Sequence, residues 1–276
     1  MTINCKGTLI DLSLPRVMGI LNMTPDSFHD GGAYKNEKEV LAKVESMLEE
    51  GATFIDIGGY SSRPGADHVS EDEELKRVLP VVELLIKQFP DILISIDTFR
   101  SNVASKCIQA EAAIINDISA GNLDAEMFKV IAAHQVPYIM MHMQGRPKDM
   151  QHNPSYDDVI KEMVLFFSEK IKQTRDHKIN DLIIDPGFGF GKTIDHNYEI
   201  LNSLEFFKHL DMPILVGVSR KSMIYKLLDT TPEHALNGTT ALHSISLIKG
   251  ANILRVHDVK EAVECVRLFN TMDKFN

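Results

Sequence analysis

Basic residues are in the minority in this chain. Lysine and arginine number 29 against 39 aspartates and glutamates, a formal net charge of −10 at pH 7. A protein that neutralises nucleic-acid phosphates needs a surplus of cations on some face, so no nucleic-acid partner is expected, and the scattered acidic surface serves solubility. Cysteine is sparse too. Cys5, Cys107 and Cys265 are an odd, widely spaced set with no C-x-x-C pair, which argues against a disulfide framework and against a thiolate zinc site. No apolar run approaches the roughly 20 residues of a membrane span, and the N-terminal stretch lacks the basic segment, apolar core and small-residue cleavage site of an export leader. A reducing, cytoplasmic setting without membrane association is the expectation. There is also no H-x-H on the first strand and no H-E-x-x-H, so a tightly held catalytic zinc is not expected.

What the chain does have is 276 residues at 44% hydrophobic content, enough for one large core; barrels of alternating strand and helix need about 250 residues. One domain over residues 1–276 is therefore expected. Short apolar runs, most ending in a polar residue or glycine, recur at 17–22, 53–58, 93–97, 113–117, 137–142, 182–185, 214–218 and 252–256. They read as buried parallel strands. Between them, segments such as 37–50, 71–88, 156–177 and 239–249 repeat apolar positions at spacings of three and four, as helices do. Strand alternating with helix implies right-handed crossovers and a parallel sheet. Eight such units favour closure over an open doubly wound sheet, which usually has fewer strands and one phosphate-binding turn near its start. The predicted fold is thus α/β, a single-domain (β/α)8 TIM barrel. Residues 3–12, broken at Lys6-Gly7, precede it as a short N-terminal hairpin plugging its lower end. Two connections, 23–36 and 59–70, are long for such units, and long βα loops on a barrel are usually functional.

The strand ends read, in order, Asn22, Ser61-Ser62-Arg63, Asp97, Asn116-Asp117, His142, Asp185, Lys221, and Arg255 with His257. Any one polar strand end is explained by solvation, but that account is poor for the whole set. Two chemistries are mixed in it. Asp97, Asn116 and Asp185 offer acceptors or a mixed donor and acceptor edge, suited to a flat heterocycle with ring N–H and amino groups. Arg63, Lys221, Arg255 and His257 offer donors and positive charge, suited to a phosphate or diphosphate. The run Asp185-Pro-Gly-Phe-Gly-Phe-Gly-Lys-Thr193 superficially resembles a phosphate-binding turn and fails both tests. A Walker A loop needs glycine where Pro186 stands, and a G-x-G-x-x-G turn from Gly187 needs it where Lys192 stands. Its glycines instead let the backbone curl tightly around a flat ligand, with Phe190 packing on it. His142 reads as a core or rim histidine. A Schiff base on Lys221 would need an apolar pocket or a second cation, and its Ser-Arg-Lys-Ser setting is polar; hydrogen bonding and charge stabilisation are the favoured role.

Taken together, Met18-Gly-Ile-Leu-Asn-Met-Thr-Pro-Asp-Ser-Phe28 with Asp30-Gly-Gly32, Asp56-Ile-Gly-Gly59, Ser62-Arg-Pro-Gly-Ala66, Ser95-Ile-Asp-Thr98, Asn116-Asp-Ile118, Asp185-Pro-Gly187, Ser219-Arg-Lys-Ser222 and Arg255-Val-His-Asp-Val259 resemble the dihydropteroate synthases, a family of pterin-binding barrels. The likeness spans nearly the whole barrel. It implies Mg²⁺-dependent condensation of 6-hydroxymethyl-7,8-dihydropterin diphosphate with 4-aminobenzoate in folate synthesis, through an SN1-like step. By motif it places the pterin on Asp97, Asn116, Met141, Asp185, Phe190 and Lys221, and the diphosphate on Asn22, Arg63, Arg255 and His257, with Mg²⁺ at Asn22. The aminobenzoate would meet Pro25, Phe28, Ser62, Pro64 and Ser222, where sulfonamide drugs imitate it. Asp97, Lys221 and Arg63 would carry the catalysis. A homodimer is a further family expectation. Two residues depart from the common Gly-Gly-Glu-Ser-Thr-Arg-Pro-Gly pattern: Tyr60 stands at the glutamate place and Ser62 at the threonine place. The rivals are a barrel moving a methyl group from methyltetrahydrofolate to a corrinoid protein, which the full first and second loops oppose, and a non-catalytic pterin binder, which retention of Arg63, Arg255 and His257 opposes.

Overall fold

The computed structural model describes residues 1–23, 33–60, 69–147 and 149–273, with backbone alone at 33–36 and 273. Strands β1 (Thr2–Cys5) and β2 (Thr8–Asp11) pair antiparallel. Eight more follow: β3 (Arg16–Asn22), β4 (Phe54–Gly58), β5 (Ile94–Asp97), β6 (Ile114–Asp117), β7 (Tyr138–Met141), β8 (Leu182–Asp185), β9 (Leu215–Val216) and β10 (Ile253–Val256). All pair parallel in the order β8-β7-β6-β5-β4-β3-β10-β9. A parallel bridge between Ile184 and Ile214 joins the two ends, and the Ile184 N–H donates to the Pro213 carbonyl at 2.9 Å. The ring therefore closes in chain order, and the predicted barrel is the observed one.

Nine α-helices are seen among the described residues: α1 (Ala33–Glu49), α2 (Glu71–Gln88), α3 (Ser101–Gln109), α4 (Met127–His134), α5 (Val159–Asp176), α6 (Ile194–Asn202), α7 (Ser222–Tyr225), α8 (Leu236–Ile248) and α9 (Val259–Asp273). Element ends moved where side chains intervene. Helix α5 begins three residues after the predicted Tyr156, because the Asp158 carboxylate caps it by accepting the Lys161 N–H at 2.9 Å. Tyr156 instead sends its hydroxyl to the Gly191 carbonyl at 2.7 Å. Strand β9 keeps two residues of the predicted five, since a turn from the Lys221 N–H to the Val218 carbonyl and a left-handed Arg220 (φ 55°) end the extended run.

The pleat sorts the strand residues onto two faces. Ile55, Ile57, Ile94, Ile96, Ile115, Met140, Ile184, Val216 and Leu254 belong to the large core between barrel and helices. Met18, Phe54, Ile114, Ile139, Ile183, Leu215 and Ile253 form a separate interior layer with Ile3, Cys5 and Leu12 of the hairpin. Lys6 and Gly7 both have positive φ, 53° and 83°, as a two-residue hairpin turn of matching twist requires. The hairpin is tied down by Asn252 Nδ2 on the Leu12 carbonyl at 2.8 Å and by the Asn4 N–H on Asp181 at 3.0 Å. It plugs the N-terminal end of the strands, as predicted.

Two residues of the polar strand-end set face away from the barrel interior. Asp117 accepts from Tyr138 Oη at 2.6 Å, from the N–H and hydroxyl of Ser119 at 2.7 Å each, and from the Gly121 N–H at 2.8 Å. It fastens the outer side of β6 and β7. His142 packs edge-on against Phe166 at 4.9 Å, and burial drives its pKa down to about 2. It is a neutral core histidine, the bland reading the sequence favoured.

The plug gives a direct test. Leu12 is wholly buried, so Leu12→Ala should lower unfolding stability by about 2–5 kcal/mol in denaturant titration. Ligand affinity at the far end of the barrel should be unchanged.

Candidate active site

One step along the strands from the apolar layer, the interior turns polar. Asp56 of β4, Asp97 of β5, Asn116 of β6 and Arg255 of β10 meet there. Arg255 donates through Nε to Asp56 Oδ2 at 2.6 Å and through Nη2 to Asp97 Oδ2 at 2.7 Å. Asn116 Nδ2 donates to the same Asp56 oxygen at 3.2 Å. Burial pushes the Asp97 carboxyl up to about 7, against the downward pull of Arg255. For Arg255, burial works downward and the two carboxylates outweigh it, so the guanidinium is held above its usual range. Asp56 opens the motif Asp56-Ile-Gly-Gly59, but the pattern of polar strand ends assigns it no role. The signal was there: a carboxylate inside a strand whose every residue is buried must find a cation.

The second half of the site is the loop after β8. Asp185 is buried, accepts the Gly187 N–H at 2.7 Å, and has its pKa raised by burial against the pull of Lys221. Lys221 donates to the Phe188 carbonyl at 2.5 Å, with its ammonium 4.8 Å from the centre of the Phe190 ring. Burial lowers it to about 8, opposed chiefly by Asp185. The loop is as tightly curled as its glycines suggest: Gly187 is left-handed (φ 67°), and a Cβ there would stand 2.1 Å from the His142 carbonyl oxygen. Lys192, the residue that made this run resemble a phosphate loop, points inward. Its ammonium donates to the carbonyls of His142, Gly187 and Phe190 at 3.1, 3.0 and 2.9 Å, and burial lowers its pKa to about 7. It holds the loop's own backbone. Met141, nearly buried, lies against Gly187. Gly217 leaves the wall open between Lys221 and Arg255, its absent Cβ falling 3.8 and 3.9 Å from Lys221 Nζ and Arg255 Cβ.

The turn 219–222 divides its labour. Arg220 forms two bonds to Asp258 at 2.8 and 2.7 Å and reaches the carbonyls of Pro232 and Glu233 at 3.2 Å each; it is an architectural residue. Ser219 Oγ lies 3.0 Å from His257 Nδ1 and accepts the His257 N–H at 3.2 Å, which fixes that exposed imidazole at the rim. Ser222 opens α7, half-buried. Asn22 ends β3, next to β10, and is half-buried. Pro25, Phe28, Ser62, Arg63 and Pro64 lie outside the described residues. The anchors of the second loop are described. The Gly59 carbonyl accepts from Arg77 at 3.3 Å, and the Val69 carbonyl from Arg100 at 2.6 Å. Arg100 also pairs with buried Glu74 and lies 5.5 Å from the centre of the Tyr60 ring, which meets Phe99 edge-on at 5.1 Å. Of the residues predicted from sequence, Asp97, Asn116, Met141, Asp185, Phe190, Lys221 and Arg255 therefore share one mouth of the barrel, with Asn22 ending β3, His257 just after β10 and Ser222 at the start of α7.

Fold and site together define an α/β-barrel enzyme whose C-terminal mouth sets carboxylates and an amide beside half-buried cations. Comparison with known proteins agrees. The sequence model of the family described as pterin binding enzyme matches residues 18–257. The dihydropteroate synthase of Escherichia coli strain K12 is 46% identical over 270 residues, 97% of this chain and 95% of that protein. The crystal structure of the Yersinia pestis dihydropteroate synthase with a sulfonamide drug complex superposes with a TM-score of 0.93 at 45% identity, covering 99% of this chain and 100% of that one. The Xanthomonas albilineans dihydropteroate synthase with 4-aminobenzoic acid gives 0.91 at 39% identity, over 99% and 98%. The chain belongs to the dihydropteroate synthase family of pterin binding enzymes, transferases of folate biosynthesis.

The raised Asp97 carboxyl predicts a pH dependence. A ring N–H is accepted by the ionised form, so calorimetric affinity for a free pterin should climb between about pH 5 and about pH 8 as Asp97 loses its proton. Asp97→Asn should weaken binding and flatten that part of the profile.

Proposed function

We propose that this chain condenses 6-hydroxymethyl-7,8-dihydropterin diphosphate with 4-aminobenzoate by an SN1-like route, releasing diphosphate. The observation that carries this reading is the contact at Arg255, where a half-buried cation able to face a leaving diphosphate bonds directly to Asp97, an acceptor for a ring edge. Reading residues and anion-holding residues are thereby adjacent, as a substrate joining both chemistries demands.

In this reading Asp185, Asn116 and Asp97 take the donor edge of the pterin, and Lys221 donates to one of its acceptors. Met141 and Phe190 line its slot, and Phe190 gives the ring a face to lie on. Arg255 and His257, with Arg63 from the second loop, hold the diphosphate and stabilise the charge that grows on it as the methylene C–O bond breaks, the electron pair leaving with the diphosphate oxygen. The pterin ring spreads the resulting cation, and the Asp97 carboxylate offsets it. The amine nitrogen of 4-aminobenzoate then forms the new C–N bond and loses a proton, without a strong general base or a covalent enzyme intermediate. Ser222 from this side, and Pro25, Phe28, Ser62 and Pro64 from the two long loops, complete the aminobenzoate site and keep water from the cation.

The donors present suit Mg²⁺ that travels with the substrate. Among the described residues no group of three potential metal-ligating His, Cys, Asp or Glu occurs, and Asp56 and Asp97 are engaged by Arg255. Half-buried Asn22 offers one hard oxygen at the rim, and Mg²⁺ is commonly held by one or two protein oxygens plus substrate phosphates. When bound there it would neutralise diphosphate charge as a Lewis acid.

A homodimer is the family expectation, and the neighbouring helices α8 and α9, which carry exposed Ile245, Ile248, Leu268 and Met272, offer apolar side chains for it. A cytoplasmic setting is supported by three free, buried cysteines. No described helix is long and apolar enough to cross a membrane.

The test of the activity is diphosphate release from purified protein, Mg²⁺ and the pterin diphosphate, with and without 4-aminobenzoate. Release and dihydropteroate formation that depend on the arylamine are expected, and their absence would sink the proposal. Arg255→Ala should weaken binding of the pterin diphosphate at least about tenfold more than binding of the free pterin. Equal losses would contradict an anion-binding role.

A further inference from the structure

The cation of the pocket hangs from a residue that touches no part of the proposed substrate. Asp56 sits in the middle of β4 with no exposed surface. One of its oxygens, Oδ2, serves both Arg255 Nε and Asn116 Nδ2. The other, Oδ1, is buried without a partner, and so is Ser95 Oγ, the residue facing Asp56 in the register of β4 and β5. A buried carboxylate with an oxygen left over is costly to keep. It is tolerable here because Oδ2 holds a guanidinium, and that placement has a consequence for ligand binding.

We infer that Asp56 is a positioning residue that keeps Arg255 from closing on Asp97, so that Asp97 stays available to the pterin. This rests on the proposed roles of Asp97 and Arg255. A guanidinium facing a lone carboxylate prefers two parallel N–H···O bonds. With Nε committed to Asp56, the fork is split between two carboxylates, and Asp97 receives the single Nη2 bond at 2.7 Å. An incoming pterin edge displaces one charge-assisted bond. Without Asp56 the freed fork settles on Asp97 as a bidentate pair, and the pterin must displace two. The same oxygen also orients Asn116. A carboxylate gripped by guanidinium only accepts, so the amide turns its NH₂ to Asp56 and leaves its carbonyl oxygen for the ligand.

Calorimetry with 6-hydroxymethylpterin, which carries no diphosphate, separates these effects. Asp56→Asn is close to isosteric and leaves only a weaker neutral acceptor for Nε; it should weaken free-pterin binding severalfold, and Asp56→Ala about tenfold. Adding Arg255→Ala should erase most of either loss, because the competitor for Asp97 is then gone. In turnover, Asp56→Asn should raise KM for the pterin diphosphate while kcat stays within about threefold of wild type. Two results would overturn the inference: wild-type affinity in Asp56→Asn, or a loss that persists in full when Arg255→Ala is added, which would make Asp56 a packing residue. The asparagine variant keeps the test open if the alanine variant does not fold. Failure of the wild-type protein to bind 6-hydroxymethylpterin would remove the pterin reading itself, and this inference with it, whereas unaltered variants beside a binding wild type would remove only the role of Asp56.

Discussion

A guanidinium inside the throat of an acidic protein must be neutralised where it lies, and much of the site follows from how that is done. Arg255 takes two carboxylates from two different strands, and one of these shares its oxygen with an amide from a third. Four strands are thus held in fixed relation by side chains as well as by the ladder of the barrel. The arrangement also explains how a chain of net charge −10 keeps a guanidinium inside its barrel mouth: the carboxylates nearest the cation are committed to it.

The closed ring makes this economical. A strand contributes to both worlds through its alternation, so β4 sends Ile55 and Ile57 into the outer core while Phe54 seals the base and Asp56 reaches the polar layer. Moving two residues along a strand carries the interior from hydrocarbon to charge. The sharpness of that boundary depends on the plug, which gives the lowest layer apolar partners on its open side.

Much of this was legible from sequence, for a definite reason. Length of apolar run, spacing and the polar residue after each run depend on local rules, and they placed all eight strands and most of the inward-facing site. What was not legible needed knowledge of the opposite wall. Asp117 and His142 look like Asp97 and Asp185 in a list of strand ends, but each falls one step off in the pleat and points to the helices. Asp56 precedes the strand end by two residues, outside the polar strand-end pattern, and only the closed barrel brings the Arg255 side chain from two strands away onto it. Lys192 illustrates the converse: motif spacing excluded a phosphate loop, but three carbonyls converging on its ammonium emerge only from the folded loop. The left-handed Arg220 likewise cut short a strand that apolar content alone would have continued.

The hairpin at the base has a bearing on how the chain reaches this state. Its last buried residue is fastened through the Leu12 carbonyl to Asn252, 240 positions away, and the first barrel strand pairs with the last. The N-terminal segment therefore waits, during synthesis, for almost the entire polypeptide to emerge before its own seat exists. Ring closure of such long range is slow and leaves unpaired edges of β3 and an uncovered plug exposed in the interval. A chain whose final strand has not yet paired would expose both at once, which is a matter of timing more than of final stability.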